Sequence, residues 1–268
     1  MTREIKISVV IACYNDGEFL KEAIQSVEAC PEKNVEMVIV NDGSTDVKTC
    51  VLLSELGQKG YRVIHQENGG TSAARNAGVR ATKGRYILPL DADNRILPQY
   101  FVKAASILDR FPKVGVVYGD CRWFGDENKI FRPGVLDRTR LVLQNSIDAC
   151  AVYRREVWEQ VGGYDENPIL SKNNYEDWDF WLMAVEHDWE FHYLPEVMFE
   201  YRVRPGTRRA KTTREVHRML LQYLSGKHFK LLRDELARSR EFIDKIFNCF
   251  PLNVLRKIKQ TVRAWGQR

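Results

Sequence analysis

Two carboxylates separated by one residue, Asp91 and Asp93, follow an apolar run at residues 86–90. Successive side chains on a strand alternate between its faces, so a strand that ends here would point both carboxylates the same way. Neighbouring carboxylates repel each other unless a cation lies between them, and open α/β sheets bind ligands at the carboxyl ends of their strands. The pair therefore predicts a divalent cation that holds a diphosphate. The alternative is a solvated acidic turn, because Asp is also a common turn residue.

The carboxylate pair must be positioned by strands and helices elsewhere in the chain. Along the sequence, apolar runs of strand length alternate with segments of helical periodicity. Strands are predicted at residues 7–13, 35–40, 61–65 and 85–90, and again at 114–118 and 149–153. Between them, apolar residues recur at helical spacing over 19–27, 71–81 and 98–111. Repeated strand–helix units predict a mostly parallel sheet that is covered by helices on both faces.

Composition and charge limit the class of protein. The chain has 268 residues and a formal net charge of +5, which suits one substantial domain with an appendage. Its six cysteines form no closely spaced pair, so neither a zinc site nor a disulfide framework is indicated. The first apolar run is too short for a signal peptide, and no stretch approaches the roughly twenty apolar residues of a membrane span. We therefore expect a cytoplasmic location, with peripheral contact to the inner face of the membrane left open.

The first strand–helix turn excludes two common nucleotide-binding classes. Its sequence, Cys13-Tyr14-Asn15-Asp16-Gly17, contains a single glycine. A dinucleotide-binding turn requires GxGxxG, and a phosphate-binding NTPase loop requires GxxxxGK followed by Ser or Thr. Neither pattern occurs here, so dehydrogenase and NTPase functions are disfavoured. The glycine-rich, arginine-terminated loop of sugar-nucleotide pyrophosphorylases is also absent.

Six short motifs are more informative together, because of their order, than any one of them alone. They are Val9-Val10-Ile11-Ala12-Cys13-Tyr14-Asn15, Val40-Asn41-Asp42-Gly43-Ser44-Thr45-Asp46, Asn68-Gly69-Gly70 with Ala74-Arg75-Asn76, Asp91-Ala92-Asp93, Val161-Gly162-Gly163-Tyr164-Asp165-Glu166, and Glu176-Asp177-Trp178-Asp179-Phe180-Trp181. Over about residues 5–205 the chain resembles a family-2 glycosyltransferase with the GT-A fold. The resemblance implies an α/β domain at 1–205, with a nucleotide-binding half at about 1–95 and an acceptor half at about 96–205. A basic, amphipathic helical region would follow at 206–268.

The resemblance also implies contacts to a nucleotide-sugar donor, for which UDP is the preferred nucleotide. Asp42 resembles the carboxylate that reads the base, and Tyr14 resembles the aromatic residue that lies against it, beside the backbone of Ala12. A simple Asx turn is the alternative for Asp42. Arg75 resembles a nucleotide-contacting arginine near the start of a helix, with a solvated helix-face arginine as the alternative. The other implied donor contacts are Asn68, Gly69, Asp91, Ala92 and Arg204.

A metal and a general base complete the implied chemistry. Mn²⁺ or Mg²⁺ would be held mainly by Asp93, and Asp91 would contact either the ribose or, through water, the metal. Arg204 stands where relatives often have a His, which suggests a guanidinium on the diphosphate. Asp177 matches the family's base for a single displacement with inversion, with Asp179 as the rival. Glu176 and Trp178 would contact the acceptor.

Helix capping is the alternative role for Glu176 and Asp177, because both precede a helical pattern. The helix dipole is expected to lower the pKa of Asp177 and so keep this carboxylate ionised.

The C-terminal region leaves its partner open. Arg208, Arg209, Lys211, Arg214 and Arg218 form a basic stretch, and apolar residues from Leu252 to Trp265 recur on one helical face. Packing on the catalytic domain or a second subunit is favoured over binding to a membrane. The expected partners are a nucleotide-sugar donor and a glycan or lipid-linked glycan acceptor, and no nucleic acid. Two alternatives remain, a non-catalytic relative that binds a sugar nucleotide and, from the basic tail alone, a nucleic-acid binder.

Overall fold

The computed structural model describes residues 6–31, 34–173, 175–204 and 213–249, with side chains to residue 240. The first half alternates strands and helices as the sequence predicts. Its elements are β1 (Ile7–Cys13), α1 (Gly17–Glu28), β2 (Val35–Asp42), α2 (Val47–Gln58), β3 (Val63–Gln66), α3 (Thr71–Arg80) and β4 (Tyr86–Asp91). β1 lies between β2 and β4, and β3 pairs with β2, all in parallel. The carboxyl ends of these strands therefore meet at one edge, where Ala12 pairs with Asp91.

The second half departs from simple alternation. Its elements are β5 (Arg95–Ile96), α4 (Gln99–Arg110), β6 (Val114–Gly125), β7 (Lys129–Phe131), α5 (Arg138–Leu143), β8 (Val152–Arg154), α6 (Arg155–Val161), α7 (Pro168–Ser171), α8 (Glu176–Glu186) and β9 (Glu190–Val203). β8 runs antiparallel to both β4 and β6, whereas β6 and β9 are parallel. The strand order is β3-β2-β1-β4-β8-β6-β9-β5, with β7 on β6. The prediction of a mostly parallel sheet thus holds for the first half, while the complete sheet is mixed.

The continuous apolar character of β1 follows from burial of both faces of the sheet. Val9 and Ile11 belong to the cluster that includes residues of α1 and α4, whereas Val10 belongs to the cluster that includes residues of α3 and α8. A strand covered on both faces has no solvent-facing position and cannot show a polar alternation. This arrangement leaves the polar turns at the carboxyl edge as the exposed part of the strand–helix units.

Among the described residues, two helices follow β9, namely α9 (Arg214–Lys227) and α10 (Phe229–Cys249). They pack on the α/β domain through Leu220, Leu224 and Leu231, which are buried in the same cluster as residues of α8. Arg138 of α5 also forms an ion pair of 2.9 Å with Glu235 of α10. The residues from Leu252 to Trp265 lie outside the described residues, as do Arg208, Arg209 and Lys211. Within the described part, no helix combines the length and apolarity needed to cross a bilayer.

Candidate active site

A cavity of about 940 Å³ opens at the carboxyl edge of β1, β2 and β4 and extends to the N-terminus of α8. It brings together most of the residues that the sequence singles out: Ala12, Tyr14, Asp42, Arg75, Asp91, Ala92, Asp93, Glu176, Asp177, Trp178 and Arg204. These residues come from segments up to 192 positions apart in the chain, from 12 to 204. Asn68 and Gly69 do not line the cavity and instead hold Asp42 from behind.

The loop after β3 holds the Asp42 carboxylate in place. One carboxylate oxygen accepts from Gln66 Nε2 at 2.8 Å and from the Gly69 N–H at 2.9 Å, and the other accepts from the Gly70 N–H at 2.9 Å. Asn68 Nδ2 also donates to the Asp42 carbonyl oxygen at 3.0 Å. A carboxylate has about four acceptor positions, so the three donors leave one for a ligand. The sequence motif identified Asn68 and Gly69, but not Gln66.

Asn15 fixes the turn that carries Tyr14. Its φ of 58° is left-handed, a conformation that Asn adopts more readily than most residues. Its side-chain oxygen accepts from the backbone N–H groups of Thr45 and Asp46, both at 2.8 Å. The loops after β1 and β2 are thereby joined, which places Tyr14 and Asp42 along the same wall.

Arg75 connects the two halves of the cavity. Its side chain is 3% exposed, and its two terminal nitrogens lie 2.7 Å from Glu176 Oε1 and 2.9 Å from Asp91 Oδ1. Burial alone would lower the pKa of this guanidinium, but the two carboxylates raise it above its ordinary value. Arg75 is therefore not a solvated helix-face residue. It joins the end of β4 to the start of α8.

Asp93 lies in a turn and not on a strand, contrary to the simple alternation argument. β4 ends at Asp91, and the Asn94 N–H donates to the Asp91 carbonyl oxygen at 3.1 Å. Both carboxylates nevertheless line the cavity. Burial, together with the charges of Asp91 and Asp16, raises the pKa of Asp93 to about 6 despite the opposing Arg204.

Arg204 reaches this turn from the end of β9. Its Nε lies 3.2 Å from Asp93 Oδ2, and a terminal nitrogen contacts Asp16 Oδ1. Arg202 supports the same turn, because its Nε donates to the Asp93 carbonyl oxygen at 3.0 Å. Sequence reasoning missed Asp16, which pairs with Arg204, and Arg202, which donates to the Asp93 carbonyl oxygen, since no motif indicates either contact.

Asp177 lies in the first turn of α8 and is 9% exposed. Its Oδ1 accepts from the Trp178 N–H at 2.7 Å, and its Oδ2 accepts from Asn145 Nδ2 at 3.0 Å. Burial and the adjacent Glu176 raise the pKa of Asp177 well above its ordinary value. The expectation that the helix dipole would lower this pKa is wrong, because desolvation outweighs the dipole at this depth.

Trp178 is 2% exposed, and its indole N–H donates to the Leu141 carbonyl oxygen at 2.7 Å. The ring belongs mainly to the core, although it borders the cavity. More accessible rings lie further out: Trp123, Phe131, Tyr175 and His217 line the outer part of the same cavity. His217 of α9 contacts the Tyr175 hydroxyl, so the C-terminal helices contribute to the cavity wall.

Asp179, the rival base, is fully buried and does not line the cavity. It belongs to a cluster of charged side chains that joins α8 to the C-terminal helices. The cluster consists of Asp179, Glu186, Lys227 and His228. Asp179 accepts from Lys227 Nζ and His228 Nε2, both at 2.9 Å. His228 Nδ1 also lies 3.1 Å from Glu186 Oε2. Asp179 is therefore a structural residue in this arrangement.

Comparison with known proteins identifies the family. The model of the family described as "Glycosyl transferase family 2" matches residues 8–162, more than half of the chain. The chain belongs to this family. An uncharacterized glycosyltransferase of Methanocaldococcus jannaschii is 28% identical over 210 residues, which cover 74% of this chain and 70% of that protein. Several other relatives of this family-2 chain are matched over only 14% to 34% of their own length.

Solved structures with the same fold include TarS of S. aureus (residues 1–349) in complex with UDP-GlcNAc. It has a TM-score of 0.64 and 19% identity, and the match covers 88% of this chain and 73% of that one. The mannosyltransferase PcManGT from Pyrobaculum calidifontis, in complex with GDP-Man and Mn²⁺, has a TM-score of 0.59 and 17% identity over 98% of this chain and 81% of that one. The predicted GT-A type α/β fold with C-terminal helices is thus confirmed, and identities this low support the fold alone.

Proposed function

We propose that this family-2 member transfers a sugar from a nucleotide-diphospho-sugar to a hydroxyl group of a glycan or lipid-linked glycan. The observation that carries the proposal is that Asp42, the Asp91–Asp93 pair and Asp177 open into one cavity of about 940 Å³. Ligand pockets of small molecules are commonly about 300–1,000 Å³, so donor and acceptor groups fit together in this space. Asp42, Asp91 and Asp93 at one end would bind the donor and its metal, and Asp177 at the other end would remove the proton of the acceptor hydroxyl.

UDP is the nucleotide we propose. The Asp42 carboxylate keeps one acceptor position free at the cavity wall, which suits the imide N–H of uracil, and Tyr14 offers a ring for stacking. The structural neighbour TarS binds UDP-GlcNAc, which supports this choice. Arg75 would act on the nucleotide through Asp91, because both of its terminal nitrogens already contact carboxylates.

A divalent cation fits the residues present. Asp93 and Asp91 supply only carboxylate oxygens, the ligands that Mn²⁺ and Mg²⁺ prefer. No group of three or more His, Cys, Asp or Glu side chains in the described residues could hold a metal alone. We therefore propose that the donor diphosphate and water complete the coordination. When bound, the cation supplies positive charge to the departing diphosphate, and Arg204 adds its guanidinium.

Asp177 would act as the general base. A sugar hydroxyl is a weak nucleophile, so a carboxylate that accepts its proton as the new bond forms assists a direct displacement. The raised pKa of Asp177 makes this carboxylate a stronger base than an exposed Asp. One base without a covalent intermediate implies inversion at the anomeric carbon. Glu176, next to the base, is held by Arg75 and shapes the acceptor side.

Thermal unfolding with nucleotides tests the proposal. The protein would be melted with UDP, GDP and dTDP, each with and without Mn²⁺, alongside Asp93→Asn and the exposed control Asp234→Asn. A ligand that binds only the folded state stabilises it and so raises the melting temperature. At a ligand concentration of one hundred times the Kd, the free energy of unfolding rises by about 2.7 kcal/mol. We expect UDP with Mn²⁺ to stabilise the wild type and the control, but not Asp93→Asn. No stabilisation by any nucleotide would refute the donor assignment, and binding without donor turnover would support the non-catalytic alternative.

We further propose that the protein works at the cytoplasmic side, near its acceptor, with the amphipathic segment from Leu252 to Trp265 providing membrane or subunit contact. Liposome flotation of the full chain against a chain that ends at residue 249 tests this role, because the removed segment carries the amphipathic pattern. Equal flotation of the two proteins would remove the membrane contact.

A further inference from the structure

Asn145 lies in the segment between α5 and β8 and lines the cavity next to Asp177. Its side-chain nitrogen donates to Asp177 Oδ2 at 3.0 Å. Its side-chain oxygen accepts from the Ile147 N–H at 3.2 Å. Because the backbone N–H occupies the amide oxygen, the NH₂ group must face the carboxylate, and the opposite amide orientation would lose both hydrogen bonds.

The segment that carries Asn145 is attached to the helix that carries Asp177. The Trp181 indole N–H of α8 donates to the Ile147 carbonyl oxygen at 3.2 Å. Ile147 is buried in the same cluster as Trp181, and the Asp148 side chain accepts from the Cys150 N–H at 2.9 Å. Helix α8 carries Asp177 and also holds the loop segment that carries Asn145. The two partners of this hydrogen bond are therefore positioned by the same helix, as a preorganised site requires.

The Asp177 carboxylate is held at both oxygens. The Trp178 N–H contacts Oδ1 at 2.7 Å while Asn145 contacts Oδ2, so rotation of the carboxylate about its Cβ–Cγ bond would lose both bonds. Each oxygen retains a further acceptor position. A proton from an acceptor hydroxyl can therefore be received without breaking either hydrogen bond.

Charged and titratable groups surround this carboxylate from several elements. Glu176 of the same helix and Asp148 of the loop disfavour its ionised form, whereas the Arg75 guanidinium of α3 favours it. The phenols of Tyr164 and Tyr175 also lie within its electrostatic range. Asn145, by contrast, is a neutral side-chain donor: its hydrogen bond stabilises the ionised carboxylate without adding charge to a cavity that receives a diphosphate.

We propose that Asn145 is a positioning residue for the base, which orients the Asp177 carboxylate and favours its ionised form. This inference rests on the proposed role of Asp177 and goes beyond it, because it assigns a function to a residue outside the motifs. A hydrogen bond to a charged group contributes about 1.5–3 kcal/mol, which corresponds to about one to two pKa units.

The test uses full-length protein labelled with ¹³C at its Asp carboxyl carbons. The Asp177 signal is assigned by its loss in Asp177→Asn, and its titration midpoint is followed in wild type, Asn145→Asp and Asn145→Ala. Asn145→Asp retains the oxygen that accepts from Ile147, so the segment keeps its fold while the donor is lost. We expect the midpoint to rise by about one unit or more in both variants. Gln144→Glu, which adds the same charge one position earlier, should move it less.

Kinetics supply the second readout, with UDP-GlcNAc as the probe donor and release of UDP as the signal. In the Asn145 variants the acidic limb of the kcat profile should move up with the NMR midpoint, while the KM for the donor stays within about twofold. An unchanged midpoint in both variants overturns the inference even when turnover occurs. A shifted midpoint in a wild type that neither is stabilised by any nucleotide in the melting test nor releases UDP from UDP-GlcNAc instead refutes the proposed function and supports the hydrogen bond, so the two failures are distinguishable.

Discussion

Replacing His228 should loosen the C-terminal helices from the helix that carries the proposed base. His228 is 3% exposed and provides one of the two cationic contacts to the fully buried Asp179. In His228→Ala the Lys227 contact remains, but one buried carboxylate oxygen loses its donor, which costs about 1.5–3 kcal/mol. The missing imidazole leaves a cavity that adds about 1 kcal/mol. The partly exposed contact to Glu186 contributes less than about 1 kcal/mol.

The expected loss is therefore about 2.5–5 kcal/mol of the free energy of unfolding, or on the order of 10 °C in melting temperature for a chain of this size. Its pH dependence follows from the pKa of His228. Burial alone would lower this pKa, but Asp179 and Glu186 raise it above its ordinary value. The protonated imidazole therefore stabilises the folded state fully below the ordinary pKa of about 6.5, and this contribution is lost as the pH rises through the folded-state pKa.

Urea unfolding of wild type and His228→Ala at pH 6 and pH 9 measures both effects. The difference in unfolding free energy should be largest at pH 6 and clearly smaller at pH 9. The matched control is His187→Ala, because His187 is exposed and its ring contacts only the Met183 carbonyl oxygen of its own helix among the hydrogen bonds described. This control should change stability by less than about 0.5 kcal/mol. An equal difference at both pH values would show that folding does not raise the pKa of His228 and would refute the argument.

Substitutions at Gly78, Arg75 and Arg204, each with a comparison variant, test other parts of the fold and site. Gly78→Ala should destabilise the protein by about 1–3 kcal/mol, because the new Cβ would lie 2.2 Å from Val10 Cγ1. The comparison variant Gly57→Ala in helix α2 places its Cβ where no atom lies within 4 Å, and it should stabilise the protein by about 0.5–1 kcal/mol. Chemical denaturation of both variants decides, and equal effects would contradict the packing argument. Arg75→Met should lower the free energy of unfolding by about 3–5 kcal/mol, since the buried Glu176 carboxylate loses that counter-ion. Arg75→Lys should restore only part of this stability, because an ammonium lacks the planar fork that reaches both carboxylates. Arg204→Ala should weaken UDP–Mn²⁺ binding about tenfold by calorimetry, with the exposed Arg80→Ala as control, and an unchanged affinity would exclude contact with the diphosphate.

Local patterns predicted much of the donor side. The strands end within two residues of their predicted positions in the parallel half, because a run buried on both faces is apolar along its whole length and stops at a polar turn. The carboxyl edge of a parallel sheet then brings Ala12, Asp42 and Asp91 together without further information. The residues that support them were less visible. Gln66 donates one side-chain hydrogen bond to Asp42, and Arg202 donates from its Nε to the Asp93 carbonyl oxygen and from its backbone N–H to Asn94 Oδ1.

The acceptor side depended more on packing. The direction of β8 and the mixed pairing of β6 with its neighbours could not be read from apolar runs, since parallel and antiparallel strands share them. The same helical segment carries Asp177 and Asp179, and periodicity alone does not decide which one faces the cavity. The fold turns Asp179 toward Lys227 and His228, about fifty residues further along the chain, and leaves Asp177 with Asn145.

The amino-acid sequence by itself determined the family, the parallel half of the sheet and the order of the carboxylates along the chain, because these depend on burial patterns and turns within a few residues. The tertiary structure alone decided which distant charges meet, namely Arg75 with Glu176, Arg204 with Asp93 and His228 with Asp179. It also decided the direction in which the pKa of Asp177 moves, since burial of this carboxylate in α8, together with the adjacent Glu176, raises it. Desolvation and ion pairing act across space, and only the packed chain specifies those distances.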